Sequence, residues 1–310
     1  MLIDTIRRAL ETAGLFHREA KRAPGQFLDR SHSNGAGNLS YKLYIPARFR
    51  RGRSSLLVML HGCRQTPEDF ATGTRMNDLA DEHGFLVVYP AQSAAANAFT
   101  CWNWFRGKDQ GREAGEPALI AGITREVALE HAVDATRTFI AGLSAGGAMA
   151  VVLGATYPDL FSAVGVHSGL PYRAAHDAAS AMAAMRGRTS RLDSTGATHA
   201  IPTIVFHGDR DTTVAVGNGS AIVDRAVSNA ERDVGPLRKA IREGRSGDGR
   251  PYTATSYRTS RTASFVEYWV LHGAGHAWSG GFPKGSFTDA SGPDASAEMV
   301  RFFLGGRPRR

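Results

Sequence analysis

The stretch Thr138-Phe-Ile-Ala-Gly-Leu-Ser-Ala-Gly-Gly-Ala-Met-Ala-Val-Val-Leu153 decides the fold. Its first four residues form a short, nearly apolar run, as in a strand covered on both faces. Gly146 to Leu153 is small and apolar enough for a closely packed helix. Between them, Gly142-Leu143-Ser144-Ala145-Gly146 fits G-x-S-x-G, in which small neighbours let a serine occupy a strained strand-to-helix turn with its hydroxyl exposed. The motif is common by chance in a chain with 35 glycines, and its strand-before, helix-after setting is what gives it weight. Ser144 is the candidate nucleophile.

Working outward, the same alternation recurs. Leu39 to Ala47 reads as an edge strand closed by Pro46, preceded by turn chemistry in Ser31-His-Ser-Asn-Gly-Ala-Gly-Asn38. Leu56-Leu-Val-Met-Leu60 and Phe85-Leu-Val-Val-Tyr-Pro90 are buried strands. Thr66-Pro67-Glu68-Asp69 opens a helix with a capping hydroxyl, proline at the first position and acids in the first turn, and Met76, Leu79 and Ala80 continue its apolar face. A long polar and aromatic segment from Ala91 to Glu116 precedes a helix marked by Leu119, Ile123, Val127 and Leu129. Further strands are read at 161–169, 203–208 and 263–273, with an Ala- and Arg-rich stretch before the second and a helix at 294–304 after the third. Strands alternating with helices predict an α/β fold with a mostly parallel central sheet and helices on both faces. The expected organisation is an amphipathic helix and linker over 1–38, one domain over 39–304 and a basic tail over 305–310.

A serine at its ordinary pKa needs a base, and the base needs an orienting group. After a G-x-S-x-G elbow the partners follow in the order acid, then histidine, each on a loop beyond a later strand. His207-Gly-Asp209-Arg-Asp211 offers two acids and His272-Gly-Ala-Gly-His276 two histidines. Asp211 and His276 are the better choices because they lie further past the strand ends, where a loop can turn back over the sheet. Asp209 is read as a turn cap or a partner of Arg210, and His272 as a strand-end residue. The amide of Ala145, after the nucleophile, supplies one oxyanion donor, and the amide of Cys63, in the His61-Gly62-Cys63 turn, is the candidate second. A strand-ending turn with a buried thiol is the plainer reading of that tripeptide.

These residues, with the blocks HGCRQTPEDFATGTRMNDLADEHGFLVVYP, CWNWF, AGLSAGGAM, FHGDRDTTV, GAGHAWSGG and GSFTDASGPDASAEMVRFF, resemble the polyhydroxybutyrate depolymerase-like esterase family of α/β-hydrolases over about Leu39 to Leu304. The resemblance implies a serine esterase with Ser144, Asp211 and His276 as its triad and Cys63 and Ala145 at its oxyanion hole, needing neither cofactor nor metal. Its relatives include short-chain polyhydroxyalkanoate depolymerases, acetyl and feruloyl esterases, and generalist polyester hydrolases, so the implied partner is an ester or polyester. The family pattern also implies a disulfide between Cys63 and Cys101, which a reducing cytosol would leave as free thiols. Trp102, Trp104, Trp278 and Tyr172 are candidates for lining the ester cleft, flat rings holding acyl groups at little entropic cost; core packing is the competing reading of each. Secreted depolymerases append a linker and a polymer-binding domain, and this chain is expected to act without one.

Composition then excludes several classes. Lys and Arg total 37 against 29 Asp and Glu, a net charge of +8, but the basic residues are scattered apart from Ala47–Arg53 and the terminal Arg-Pro-Arg-Arg, and no nucleic-acid motif accompanies them. Two cysteines exclude a disulfide-rich scaffold and any four-cysteine zinc site. No apolar run reaches the roughly 18 residues of a membrane span. At the N-terminus, Asp4, Arg7, Arg8 and Glu11 interrupt any export signal, so a cytoplasmic location is the expectation.

Overall fold

Six strands run parallel in one sheet, and an antiparallel hairpin extends it at each end, giving a ten-stranded sheet among the described residues. This computed structural model describes residues 25–188, 199–247, 249–259 and 264–305. The N-terminal helix expected around Ile3 to Ala13, the last five residues of the basic tail and residues 189–198 of the Ala- and Arg-rich stretch lie outside them. The parallel strands, in spatial order, are β4 (Leu86–Pro90), β3 (Leu56–Leu60), β5 (Thr138–Leu143), β6 (Ala163–His167), β7 (Thr203–Gly208) and β10 (Ser264–Leu271). The first five are buried throughout, which is why they read as continuous apolar runs.

Alternation within those runs divides the core between the two faces. Leu56, Val58 and Leu60 join one cluster with α3 (Gly115–His131), α4 (Ala145–Thr156) and α6 (Gly217–Val234). Leu57 and Met59 join the other, with α1 (Pro67–Thr74), α2 (Met76–His83) and α7 (Ala295–Phe303). A short helix, α5 (Ala178–Met185), lies between β6 and β7 in sequence. No described helix is long and apolar enough to cross a membrane.

Three local readings are corrected. The turn in Ser31–Asn38 is confined to Gly35-Ala36, a tight hairpin: β1 (Gln26–Asn34) pairs antiparallel with β2 (Gly37–Ile45), so the sheet begins inside the stretch expected as linker. β1 has no apolar face to announce it, and it is tied to α3 by His32–Glu126 and Arg30–Glu130 pairs. The helix expected from Thr66 through Ala80 is two, because Arg75 sits at φ 51° between them and reaches to Asp294 and the Gly280 carbonyl. At the far end, β8 (Arg238–Arg245) and β9 (Pro251–Arg258) add a hairpin to β10 that charged and hydroxyl residues had concealed.

The chain leaves β3 for β4 on one side and returns past it to β5 on the other. Strand order therefore reverses at β3/β5, and the crevice of such a sheet opens there, beyond the carboxyl ends of the strands.

Candidate active site

That crevice is where β5 delivers Ser144, the residue before α4. Its backbone is at φ 56°, ψ −119°, a conformation L-residues rarely adopt. Sterics explain the flanking glycines: a Cβ on Gly146 would lie 2.1 Å from the Leu60 carbonyl oxygen, and one on Gly142 2.4 Å from the backbone of Gly146. Only hydrogen at both positions lets the elbow press against the end of β3. Ala145 begins α4, so its N–H belongs to the first-turn amides a helix leaves unpaired.

The neighbouring turn after β3 is built to present one amide. Gly62 N–H donates to Gln65 Oε1 (2.9 Å), Arg64 N–H to the Phe99 carbonyl (2.8 Å) and Gln65 N–H to the Gly62 carbonyl (3.4 Å). Cys63 N–H is the one amide of the four without a partner among the described residues. Behind the turn, His61 is buried. Its Nε2 accepts from Gln92 N–H, so the proton is on Nδ1 and goes to the Gly62 carbonyl at 2.7 Å. Burial pushes His61 below the ordinary imidazole range, so the turn rests on a neutral ring. Cys63 and Cys101 are bonded, joining the turn to the aromatic loop.

β7 and β10 supply the acid and the imidazole. Asp211 accepts from Thr213 and Val214 N–H through Oδ1 and from His276 Nδ1 through Oδ2, at 2.9, 2.8 and 2.7 Å. Burial opposes its ionisation, but the His276 and Val214 hydrogen bonds and the nearby imidazoles outweigh it and hold Asp211 below the usual carboxylate range. A carboxylate only accepts, so His276 carries its proton on Nδ1 and leaves Nε2 as the basic nitrogen.

β6 and β7 separate β5 from β10, roughly 15 Å at three strand spacings, so the His276 loop must fold back to approach Ser144. It does so in steps. Arg210 N–H bonds the Ala274 carbonyl at 3.0 Å over the end of β7, and Ser279 N–H reaches His167 Nε2 at 3.1 Å over the end of β6. Ser144 N–H bonds the His167 carbonyl at 2.9 Å, so one residue holds both the nucleophile's backbone and the histidine loop. His167 is fully buried, stacks on Trp278 at 5.3 Å, and is pushed down to about 3 by burial with His207 and His276 nearby. No sequence motif pointed to it.

Asp209, read as a turn cap or a partner of Arg210, accepts instead from Gly273 N–H (2.7 Å) and pairs with His272 Nδ1 (2.9 Å), while His272 Nε2 meets Thr253 Oγ1 at 2.8 Å. The second acid and second histidine of the motif thus link the two loops that carry the first pair.

The aromatic candidates are corrected by burial. Trp102 is enclosed, its indole N–H on the His61 carbonyl. Trp278 is enclosed, with its N–H on Ser296 Oγ and its ring edge-on to Phe70. Trp104 packs edge-on to Phe105, and Tyr172 donates to the Gln110 carbonyl. Three of the four polar atoms are so engaged; Trp102 and Trp278 are fully enclosed and shape the walls from inside, while Trp104 and Tyr172 keep 5% and 7% of their surface. A carboxyl the sequence reading passed over, Glu116, organises the aromatic loop by accepting from Gln92 Nε2, Asn103 Nδ2 and Asn103 N–H. Among the described residues no three His, Cys, Asp or Glu side chains are grouped to hold a metal ion.

Among curated proteins, the chain is 31% identical to poly(3-hydroxyalkanoate) depolymerase C of Paucimonas lemoignei over 77% of its own length and 58% of that protein. It is 32% identical to feruloyl esterase B of Neurospora crassa over 46% of its length and 48% of that protein. The chain thus spans about half the length of these relatives. An acetyl xylan esterase structure from Aspergillus awamori superposes over 92% of the chain and all of its own, with a TM-score of 0.70 at 18% identity, a likeness of fold. Residues 39–247, more than half the chain, match the esterase PHB depolymerase family, and the chain belongs to that family.

Proposed function

We propose that the protein is a serine carboxylic-ester hydrolase that cleaves short hydroxyacyl, polyester-type esters through an acyl-enzyme. The observation that carries this reading is the return of the His276 loop over β7 and β6 to the residue that also holds the backbone of Ser144, with Asp211 fixing the imidazole tautomer. Ser144 Oγ attacks the ester carbonyl while His276 Nε2 takes its proton. Asp211 stabilises the imidazolium, which then protonates the leaving alcohol. Oxyanion charge is met by the amides of Cys63 and Ala145, preorganised by the turn and by the N-terminus of α4. Water, deprotonated by the same nitrogen, releases the acid.

Depolymerase relatives support the hydroxyacyl polyester class, and feruloyl and acetylxylan esterases among the relatives make those esters the competing substrates. The Cys63–Cys101 bridge supports action in an oxidising compartment over the cytoplasmic expectation. Ser144→Ala tests the core of the reading: p-nitrophenyl butyrate turnover should fall at least about a thousandfold and fluorophosphonate labelling should vanish. Survival of either sinks it. A panel of hydroxybutyrate oligomers, acetyl esters and feruloyl esters then ranks the substrate classes.

A further inference from the structure

Four aromatic rings expected at the cleft are buried, and three others are not. The exposed aromatic rings among the described residues are Phe99, Phe282 and Phe287, at 58%, 38% and 44% exposure. Two of them stand on segments bonded to the oxyanion turn. Arg64 N–H donates to the Phe99 carbonyl and to Thr100 Oγ1, and the disulfide joins the preceding residue of the turn, Cys63, to Cys101. At the next residue, Gln65 Nε2 donates to the Ser286 carbonyl, and Ser286 is held by N–H and hydroxyl bonds to Asp69. The next residue, Phe287, gives its carbonyl to Trp278 N–H, two positions from His276.

Phe287 adopts φ 51°, left-handed backbone that a bulky side chain rarely takes. Such conformations persist only where the surroundings over-determine them, and they gather at ligand clamps. Here the surroundings are the Ser286–Asp69 bonds on one side and the β11–β12 pairing (Trp278–Ser279 with Thr288–Asp289) on the other. The constrained Phe287 ring is left exposed on the residue whose carbonyl holds Trp278 N–H in the His276 loop. The Arg64 guanidinium lies 5.2 Å over the Phe99 ring and pairs with no carboxylate among the described residues. An exposed ring on each of two segments bonded to the turn, with a cation over one of them, suits a linear chain whose repeats are aliphatic and whose end is a carboxylate.

We propose that Phe99 and Phe287 are the substrate-contacting rings, laying an aliphatic oligo- or polyester chain across the Gly62–Gln65 turn, with Arg64 taking the terminal carboxylate. This rests on the serine-esterase reading and narrows its substrate class. Flat rings bury chain methylenes at small entropic cost, and an ester too short to span the turn gains little from both.

The test compares p-nitrophenyl acetate with a linear 3-hydroxybutyrate trimer, using the full chain carrying Phe99→Ser, Phe287→Asn or Arg64→Gln. Asparagine tolerates the left-handed backbone, so the Phe287 variant removes the ring without straining the fold, and its thermal midpoint should be no lower than that of the unaltered protein. Each Phe variant should lower the trimer-to-acetate ratio of kcat/KM about tenfold, mainly through KM for the trimer. Arg64→Gln should lower it for the free-acid trimer and not for its methyl ester. Leu129→Ser, an exposed apolar change on α3, should leave the ratio alone. Ratios unchanged in the Phe variants, or a wild type that ignores the trimer, overturn the proposal. Failure of the esterase reading appears separately, as turnover of p-nitrophenyl acetate that survives Ser144→Ala.

Discussion

Breaking the Cys63–Cys101 bridge through Cys101→Ala leaves the Cys63 amide in place and removes only the cross-link. The two residues are 38 apart in sequence. In the chain-entropy account, closing a loop of that length costs the unfolded ensemble about 13 cal/mol/K, or about 4 kcal/mol at 25 °C. For a domain of this size each kcal/mol moves the midpoint by roughly 2–4 °C, so the variant should melt roughly 8–16 °C lower. Thermal unfolding followed by tryptophan fluorescence measures it, and adding dithiothreitol to the unaltered protein should reproduce the drop without a mutation. The aromatic loop keeps other anchors, since Arg64 N–H, the Trp102 indole and the Glu116 carboxylate all hold it. Native structure should therefore survive below the new midpoint, with the loss of stability residing in the unfolded chain. A reduced protein that melts with the oxidised one would falsify this reasoning, since it would mean that the bridge restrains nothing the unfolded chain is free to explore.

Two other expectations follow from strained or buried groups. Burial and the neighbouring Asp109 push Glu116 up to about 7, against the N–H groups of Asn103 and Gln92, which favour the ionised form. A carboxyl raised on folding holds a proton in the native state that the unfolded chain has lost. Its contribution is complete below about pH 4.5 and disappears as pH rises through 7, a span of about 3 kcal/mol. Unfolding free energies measured from pH 5 to 8 should fall more steeply for the native protein than for Glu116→Gln, and parallel profiles refute the assignment. Ser144→Gly should be inactive yet more stable than Ser144→Ala by about 1 kcal/mol or more, because glycine adopts positive φ without a steric penalty; equal melting of the two variants would show the elbow to be unstrained.

Much of the fold was legible because its signals are local. Leu56–Leu60 and Thr138–Leu143 are apolar throughout because a strand covered on both faces must be, and Thr66-Pro67 writes its helix start in two residues. Distance past the strand end singled out His276 over His272, because the base must lie far enough beyond its strand to fold back. What stayed hidden depends on partners distant in sequence. β1, Gln-Phe-Leu-Asp-Arg-Ser-His-Ser-Asn, becomes a strand by pairing with β2 and has no buried face of its own. Arg75 ends a helix whose propensity would continue it. Tryptophan is fit for a cleft or a core, and only Ser296 and the His61 carbonyl, each far away in the chain, decide the matter for Trp278 and Trp102. His167 and Glu116 are invisible for the same reason: their roles consist entirely of what the folded chain brings to them.

The hairpin that ends the sheet gives the positive charge a use. β8 is an exposed outer strand, and an open strand edge invites pairing with another chain. It carries Arg238, Lys239, Arg242 and Arg245. Two copies meeting antiparallel and centred on one another would set Arg238 against Arg245 at both ends of the ladder, and like charges directly opposite are unfavourable. Four basic residues against one acid, Glu243, on this edge thus oppose strand-to-strand pairing, a consequence of the basic surplus that needs no nucleic-acid partner.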